Sequence, residues 1–194
     1  MQQQVLDFWF EELKPAQWFK ASAALDTTIR TRFAPLLQQA MRGELESWRN
    51  TAEGRLAEII VLDQFSRNIH RGTPLAFAAD PVALVLGQEA LRAQALEQLE
   101  KVEQRDFLLL PFMHSESALI QQQALPLFKA HTTPGCYRAA LQHKAIIDRF
   151  GRYPHRNAIL GRSPTAEELE FLHQPGSSFQ AVSNTPLFWH RFPA

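Results

Sequence analysis

Three short polar segments of this sequence contain side chains that can bind a ligand or transfer a proton. The segments run from Asp63 to Asn68, from His114 to Glu116, and from Gly151 to Asn157. Histidine and carboxylate side chains are common proton donors and acceptors in enzymes, and arginine side chains bind carboxylates and phosphates through two parallel hydrogen bonds. We therefore expect the three segments to converge on one site in the folded chain.

The first segment contains an acidic and a basic residue that are spaced for pairing. Asp63 and Arg67 are four positions apart, which places them on one face of a helix. Asp63 also follows the apolar residues Ile59 and Ile60, so the pair is predicted to be partly buried. A buried carboxylate needs partners, and Arg67 and Asn68 supply them. Asp63 and Arg67 are therefore predicted to form a structural network.

His114, in the second segment, shares a helix face with apolar residues. Phe107, Leu110 and His114 follow one another at i, i+3 and i+7. A lone histidine on such a face is more often a hydrogen-bonded core residue than a catalyst. Glu116 is predicted to point about 200° around the helix from His114, so these two side chains are not expected to pair. His114 is interpreted either as a core residue or as a general acid or base.

The third segment lies in the most basic part of the chain. Gly151 and Pro154 favour a turn that holds the residues after it in place. One interpretation is a site for an anion, with arginine side chains and backbone N–H groups as donors. The alternative is that the arginines cap the preceding helix and pair with glutamates, and the sequence leaves both open. Between positions 144 and 162 five basic residues accompany a single acid, Asp148: Lys144, Arg149, Arg152, Arg156 and Arg162.

Several kinds of catalytic and cofactor site are missing from the sequence. It contains no glycine-rich phosphate loop, no His-Glu-x-x-His helix and no Cys-x-x-Cys pair. The Gly-x-Ser-x-Gly motif of many esterases is missing as well. A metal site built from Asp63, His114 and His143 is geometrically feasible, but the spacing of these residues does not favour it. We expect no metal and no cofactor.

Charge and cysteine content narrow the class of protein. Twenty basic residues balance twenty acidic ones, so no general attraction to nucleic acid or to a membrane surface is expected. The single cysteine, Cys136, cannot form an internal disulfide, which fits a reducing cytoplasm. The N-terminal residues lack the features of a signal peptide, and no apolar run approaches the ~18 residues of a membrane span. We expect a soluble cytoplasmic protein.

Helices must position these segments, because apolar residues follow helical spacing along most of the chain. No stretch has the alternating, β-branched pattern of a strand with hairpin turns. The sequence therefore predicts an all-α fold, with residues 1–172 as a single domain. After a short first helix from Val5 to Leu13, helices are expected over about 22–43, 51–70, 80–91, 104–128, 137–150 and 165–172. Asp80-Pro81 is a helix-start signal in which the Asp80 carboxylate can cap free N–H groups, and Gly151 is a helix stop. Thr165 and Glu168 have the spacing of a capping box at the start of the last helix.

Residues 173–194 differ in composition from the rest of the chain. Proline, glycine and serine residues in this stretch disfavour a helix. The stretch also contains more aromatic residues than a disordered tail usually carries. We predict an extended segment that packs on the helical domain or on a neighbouring subunit, and the second arrangement would form a homodimer. The large apolar residues in question are Phe179, Leu187, Phe188, Trp189 and Phe192.

Each polar segment belongs to a sequence motif. The three motifs are Asp-Gln-Phe-x-Arg-Asn at 63–68, Pro-Phe-x-His-Ser-Glu at 111–116, and Phe-Gly-Arg-x-Pro-x-Arg-Asn at 150–157. These motifs resemble those of a bacterial family of unknown function whose helical members are grouped with tetratricopeptide-repeat-like folds. The resemblance implies antiparallel helix pairs stacked in an α–α superhelix, but it implies no activity, substrate or catalytic residue. Ser66 stands where the family commonly has proline, and His70 where it commonly has tyrosine. Repeats of about 34 residues with the tetratricopeptide consensus are not visible.

Three hypotheses for the function remain open. The favoured one is a binding module, in which stacked helices form a concave surface that holds a small anionic ligand or an acidic peptide end. The second is a hydrolase-like enzyme in which His114 or His155 is the general acid or base, Glu116 or Asp63 assists it, and arginines hold the substrate. The third is a purely structural network around Asp63 and its arginine partner. The expected ligand-binding residues are Arg67, Asn68, His114, Arg152, Arg156 and Asn157.

Overall fold

A computed structural model describes residues 1–175 and Ser177. The described part of the chain consists of α-helices joined by short 3₁₀ and π-helical turns, without a β-strand, which confirms the predicted all-α class. The arrangement of these helices as a tetratricopeptide-repeat-like superhelix stays a prediction. The helices are α1 Gln2–Asp7, α2 Pro15–Trp18, α3 Ala23–Met41, α4 Ala52–Ile59, α5 Ser66–Ile69, α6 Asp80–Arg92, α7 Ala95–Gln98, α8 Val102–His114, α9 Ala118–His131, α10 Pro134–Phe150 and α11 Ala166–Leu172.

Aromatic side chains from four segments meet at the centre of the core. The buried ring of Trp9 lies 5.7 Å from the ring of Phe65 and 5.4 Å from that of Phe107. Phe65 also stacks on Phe33 of α3, with 4.7 Å between the ring centroids. Burial of one large apolar side chain stabilises a fold by about 1.5–3 kcal/mol. The aromatic cluster therefore holds α3, α8 and the segment between α4 and α5 against the π-helical turn Phe8–Glu12 that follows α1.

The segment predicted as one helix over 51–70 contains a π-helical turn. The chain passes from α4 through a π turn at Ile60–Phe65 into α5. A π turn moves the backbone hydrogen bond from the fourth to the fifth following residue. Here the carbonyl oxygens of Leu62 and Asp63 accept side-chain hydrogen bonds from Ser66 and Arg67, respectively. The stretch is helical as predicted, but its helix type changes at the first polar motif.

The stretch predicted as one helix over 104–128 forms two helices. α8 ends at His114, Ser115 has extended backbone angles, and α9 begins at Ala118. The hydroxyl of Ser117 accepts a hydrogen bond from the backbone N–H of Ile120 and caps α9. The prediction of a single helix was wrong, because this capping serine starts a new helix. The direction predicted for Glu116, which assumed one continuous helix, does not apply.

Close packing of α6 on α8 sets the position of Asp80. A Cβ atom on Gly87 of α6 would lie 3.0 Å from the ring of Phe112, so the two helices approach closely at this glycine. The N-terminal end of α6 consequently lies beside the C-terminal end of α8. Asp80 is the first residue of α6, where an Asp-Pro start was predicted, but its side chain does not cap the helix. Its carboxylate pairs with Arg67 and Arg156 instead.

The C-terminal part of the described chain follows the sequence closely. Gly151 ends α10 in the left-handed conformation, with φ +68°, as predicted for a helix stop. Thr165 and Glu168 form the predicted capping box at the start of α11. Of the predicted extended segment 173–194, only 173–175 and Ser177 are described, and the aromatic residues lie outside that part. None of the described helices is long and apolar enough to cross a lipid bilayer.

Candidate functional site

Asp63 and His114 are hydrogen-bonded to each other where the core meets an open cleft. The side chain of Asp63, on the π turn, is 1% exposed, and its Oδ1 lies 2.8 Å from Nδ1 of His114. Oδ2 of Asp63 accepts a hydrogen bond from Nε2 of Gln64 at 2.6 Å. His114 is the last residue of α8. The pair therefore joins the first and second polar segments.

The carboxylate of Asp63 determines which nitrogen of His114 carries the proton. Burial acts to raise the pKa of Asp63, but Arg67 and His114 outweigh this effect and hold the pKa below its usual range. An ionised carboxylate can only accept hydrogen bonds, so Nδ1 of His114 must carry a proton. In the neutral ring, the lone pair that can take up a further proton is then on Nε2.

The His114 imidazole is neutral at pH 7 and reaches the cleft. Burial lowers its pKa, Asp63 offsets part of that effect, and Arg67 adds to the lowering. The side chain is 16% exposed and forms part of the cleft wall. Among the described residues, no group hydrogen-bonds Nε2 of this ring. A neutral imidazole held by a carboxylate and open on its other nitrogen is suited to accept a proton.

Arg67 links Asp63 to Asp80. Its Nη1 lies 3.2 Å from Oδ1 of Asp63, and its two terminal nitrogens lie 2.9 and 3.0 Å from the oxygens of Asp80. Asp80 is shared with Arg156, whose Nη1 lies 3.3 Å from Oδ2. Two carboxylates and two guanidinium groups thus alternate, and their charges balance. The predicted pairing of Asp63 with Arg67 is present, and it extends to a second acid.

Arg156 is a nearly buried arginine at the floor of the cleft. Its side chain is 8% exposed, and its guanidinium lies 4.5 Å from the ring centroid of Phe77 and 4.7 Å from that of Tyr153. Nη2 donates a hydrogen bond to the carbonyl oxygen of His114 at 3.1 Å, whereas Nε has no hydrogen-bond partner among the described residues. Burial, followed by the nearby charge of Arg67, lowers the pKa of Arg156. An additional negative charge nearby would favour its charged form.

Glu116 stabilises the turn that carries Arg156. Its carboxylate accepts a hydrogen bond from the backbone N–H of Tyr153 at 2.7 Å and pairs with Arg162 through both oxygens, at 2.7 and 3.0 Å. Burial acts to raise the pKa of Glu116, but the Arg162 guanidinium and the Tyr153 N–H outweigh it, so the pKa lies below its usual range. Glu116 also lines the cleft. No hydrogen bond among the described residues joins it to His114.

The cleft has a volume of about 370 Å³ and combines apolar walls with a polar floor. Its walls come from the segment before α6, from α6 and α8, and from the turn after Arg156. The apolar side chains that line it include Phe77, Leu84, Pro111 and Leu160, and the polar ones include Asp80, His114, Glu116 and Arg156.

Comparison with known proteins places this chain in a family. The sequence model of a family described as "Bacterial protein of unknown function (DUF924)" matches residues 5–176. The chain belongs to this family. It is also similar to the solved structure of a protein of unknown function, ATU0120 from Agrobacterium tumefaciens, with 38% identity and a TM-score of 0.83 over 89% of this chain and 96% of that one. No curated protein matches.

The family resemblance inferred from the motifs is therefore confirmed. Neither the DUF924 description nor the Agrobacterium structure brings an established activity. A function for this DUF924 chain therefore has to be inferred from the chemistry of its own cleft.

Two of the predicted site residues of the DUF924 chain lie away from the cleft. Asn68 donates a hydrogen bond to Oδ1 of Asp26 at 2.8 Å, on the side of α5 that packs against α3. Arg152 pairs with Glu168 of α11 at 2.6 Å. Asn68 therefore connects α5 to α3, and Arg152 connects the turn after α10 to α11. The predicted residues that do line the cleft are His114, Glu116 and Arg156.

The other predicted residues lie behind the cleft floor. Arg67 is behind Asp80, as described above, and Asn157 is buried and accepts a hydrogen bond from Nε of Arg162 at 2.9 Å. His155 is not among the residues that line the cleft. Burial, followed by the nearby charge of Arg156, lowers the pKa of His155 to about 3. Of the two histidines considered as general bases, the structure brings His114 to the cleft.

Three residues that shape the site were not predicted from the sequence. Asp80 was interpreted as a helix cap because proline follows it, and its arginine partners come from distant parts of the chain. Phe77 and Tyr153 were not selected, although their rings flank the Arg156 guanidinium. The one available signal was the tyrosine inside the basic segment, since aromatic rings often stack on arginine.

The described residues contain no group of three or more histidine, cysteine, aspartate or glutamate side chains arranged to hold a metal ion. The set considered from the sequence, Asp63, His114 and His143, is not such a group. Nδ1 of His143 lies 2.8 Å from the carbonyl oxygen of Ala139, and its ring centroid is 6.4 Å from that of His114.

Proposed function

We propose that the cleft binds a small molecule that carries a carboxylate or a similar compact anionic group next to an apolar body. The observation that carries this proposal is the position of Arg156, a nearly buried guanidinium on the floor of an otherwise largely apolar cleft. Ligand sites are typically concave, mostly apolar and supplied with a few convergent polar groups. The volume of about 370 Å³ suits one small metabolite.

Arg156 has donor capacity beyond its contacts within the protein. A guanidinium carries five N–H groups, and among the described residues Arg156 donates hydrogen bonds to Oδ2 of Asp80 and to the carbonyl oxygen of His114. The Asp80 contact is long, at 3.3 Å, and the same carboxylate is held more closely by Arg67. Arg156 shares the charge of Asp80 with Arg67. A ligand carboxylate that reaches the Arg156 guanidinium would supply a second negative charge beside it.

The charge balance favours a ligand with a single negative charge. Asp63 and Asp80 already offset Arg67 and Arg156, and Glu116 is paired with a further arginine. A polyphosphate would add several negative charges to a site whose described residues carry no surplus of positive charge, which is unfavourable in a partly buried setting. A monocarboxylate adds one charge, and protonation of His114 can offset it.

A binding experiment with a blocked cleft tests this proposal. Butyrate and benzoate serve as probes, with unfolding temperature and titration calorimetry as readouts. We expect both probes to stabilise the wild type and to lose their effect in Leu84→Trp, because the indole fills the space beside α6. The control is Val85→Trp, since Val85 is 54% exposed on the same helix and does not line the cleft. Equal stabilisation of the two variants, or none of the wild type, would overturn the proposal.

The location of the protein is a separate proposal. We place it in the cytoplasm because its single cysteine, Cys136, is buried and unpaired, which fits a reducing compartment. Burial, together with the nearby Asp106, raises the pKa of this thiol. Cys136 is therefore expected to be inert as a nucleophile. Fractionation of cells that express the native gene tests the location.

A further inference from the structure

The hydrogen-bonded pair of Asp63 and His114 points to chemistry at the cleft as well as binding. We propose that the cleft hydrolyses small carboxylic esters with an apolar body, and that His114 is the general base that activates the attacking water. This inference rests on the proposed function, because the carboxylate product of such a reaction is the kind of ligand proposed above. Three features support it: an oriented base, the lack of a nucleophile among the described side chains of the cleft, and a cation beside the reaction site.

The base is oriented by a carboxylate that solvent does not reach. Oδ1 of Asp63 holds Nδ1–H of His114 at 2.8 Å, and Asp63 is itself fixed by Gln64. This arrangement keeps Nε2 unprotonated at the cleft and stabilises the imidazolium that forms when Nε2 takes up a proton. Asp63 does not touch the substrate, so it is a positioning residue.

No described side chain in the cleft is placed as a nucleophile for this base. Ser115 lines the cleft, but its hydroxyl accepts a hydrogen bond from the N–H of Ser117, and no hydrogen bond joins it to the His114 ring. Cys136, the single cysteine, is buried away from the cleft lining. The geometry therefore favours direct attack by water over a covalent intermediate.

The reaction needs no other reactant. A water molecule gives a proton to Nε2 of His114 while its oxygen forms a bond to the carbonyl carbon, and the electron pair of the C=O bond moves to the carbonyl oxygen. The resulting oxyanion collapses, re-forms the C=O bond and expels the alkoxide. That alkoxide takes the proton from Nε2, which regenerates the neutral imidazole. The acid product releases its own proton to solvent and becomes a carboxylate.

The cation beside the reaction site is Arg156. Its Nη2 is hydrogen-bonded to the backbone carbonyl of His114, so the guanidinium is adjacent to the residue that carries the base. A fixed positive charge near the developing oxyanion lowers the barrier to its formation. An ester is neutral before attack and negative after it, so the guanidinium favours the transition state more than the substrate. The apolar walls formed by Phe77, Leu84 and Leu160 suit the hydrocarbon part of the molecule.

Hydrolysis of p-nitrophenyl butyrate by the full-length chain tests the inference. We expect turnover above the buffer rate, with kcat at least about 100-fold lower in His114→Gln. Histidines on a protein surface cleave such activated esters slowly, so the matched control is His173→Gln, an exposed histidine outside the cleft, which should keep the wild-type rate. In the wild type, kcat/KM should rise with pH through a pKa below 6.5, because the neutral imidazole is the active form.

A second pair of variants keeps the inference testable if His114→Gln fails to fold. Leu84→Trp should abolish turnover while Val85→Trp retains it, since only the first fills the cleft. Asp63→Asn should lower kcat with little change in KM and should alter the pH profile, which a purely structural role would not do.

The outcomes separate the inference from the proposed function. Turnover that is equal in wild type, His114→Gln and Leu84→Trp would overturn the hydrolase inference. The hydrolase inference would also be overturned if the wild type binds butyrate, and Leu84→Trp removes that binding, but the wild type does not hydrolyse the ester. In that case the binding proposal would stand. A wild type that neither binds butyrate nor hydrolyses the ester would overturn both.

Discussion

Nδ1 of His114 lies 2.8 Å from Oδ1 of Asp63, and of the two side chains the histidine is the one that lines the cleft. The contact connects the last residue of α8 to the π turn between α4 and α5. The contact therefore links the chemistry of the cleft to the packing of the core. The role of each residue in chemistry and in stability can be tested by different substitutions.

Arg67→Ala should destabilise the fold strongly. Arg67 pairs with Asp63 and Asp80, and its loss leaves both carboxylates without their main cation in a poorly hydrated site. Breaking a buried ion pair by removing one partner costs about 3–5 kcal/mol. Urea unfolding measures the effect, with Arg92→Ala as control because Arg92 is 75% exposed in a surface pair. A loss no larger than that of the control would contradict a structural role for Arg67.

Three buried or largely buried imidazoles should make the fold less stable in acid. Burial is the main cause that lowers the pKa of His114, His143 and His155, in the last case to about 3. These folded-state pKa values lie below the ~6.5 of an unfolded histidine, so the unfolded chain takes up protons first. Stability that is complete above pH ~6.5 is then lost as the pH falls toward the folded-state values. Asp106 has the opposite effect on the stability in acid. Burial raises its pKa to about 6, so the folded chain takes up this proton before the unfolded chain does.

The measurement for this prediction is the free energy of unfolding between about pH 7 and pH 5. Three imidazoles outweigh one carboxyl group, so the free energy should decrease as the pH falls. The slope of the free energy of unfolding against pH should be shallower in His155→Gln, by up to ~1.4 kcal/mol per pH unit. Parallel pH dependences in the variant and the wild type would contradict the burial of a neutral His155.

Glu116→Gln should loosen the turn that carries Arg156. The change removes the charge that pairs with Arg162 and weakens the acceptor for the N–H of Tyr153. We expect hydrogen exchange at the Tyr153 amide to accelerate about 10-fold, in line with a loss of about 1–2 kcal/mol for a charge-assisted hydrogen bond. Glu167→Gln is the control, because Glu167 forms an exposed pair with Arg149. An unchanged exchange rate at Tyr153 would count against the role of Glu116.

Arg156→Lys should weaken carboxylate binding although it preserves the charge. Lysine lacks the planar fork that binds a carboxylate and stacks between aromatic rings, and Arg156 lies between Phe77 and Tyr153. We expect the Kd for butyrate to rise about 10-fold, which corresponds to about 1.4 kcal/mol. An equal Kd for the variant and the wild type would show that the guanidinium does not contact the ligand.

Deletion of residues 178–194 tests the predicted C-terminal segment. If its aromatic residues pack on the helical domain, the shortened chain should unfold at least ~4 °C lower, since about 1 kcal/mol corresponds to about 2–4 °C at this chain length. If they pack on a second subunit, size-exclusion chromatography should show a dimer that the deletion converts to a monomer. No change in either measurement would reject both arrangements.

Local sequence patterns predicted most of the fold. Helical spacing predicted α3 and α10 to within a few residues, and Thr165 and Glu168 form the capping box expected from their spacing. These features depend on residues within one or two turns of each other. The π turn at Ile60–Phe65 lies inside a stretch whose apolar spacing predicts an ordinary helix, so no local pattern distinguishes it.

The site was only partly predictable because its partners are distant in sequence. Arg152 and Arg156 lie in the same basic segment, yet one pairs with Glu168 and the other enters the cleft. Sequence spacing cannot distinguish them, since the packing of α11 and α6 decides which acid each arginine meets. Asp80 illustrates the same limit, because its Asp-Pro pattern correctly predicted a helix start and concealed its ionic partners.

The ¹⁵N resonances of the His114 ring provide the most direct test of ligand binding in the cleft. His114→Gln identifies these signals, and their shifts report which nitrogen carries the proton. We predict protonation at Nδ1 in the free protein, and a shift of both nitrogens on addition of butyrate in the wild type and Val85→Trp but not in Leu84→Trp. Signals that butyrate leaves unchanged in the wild type, or shifts equally in Leu84→Trp, would contradict binding beside His114.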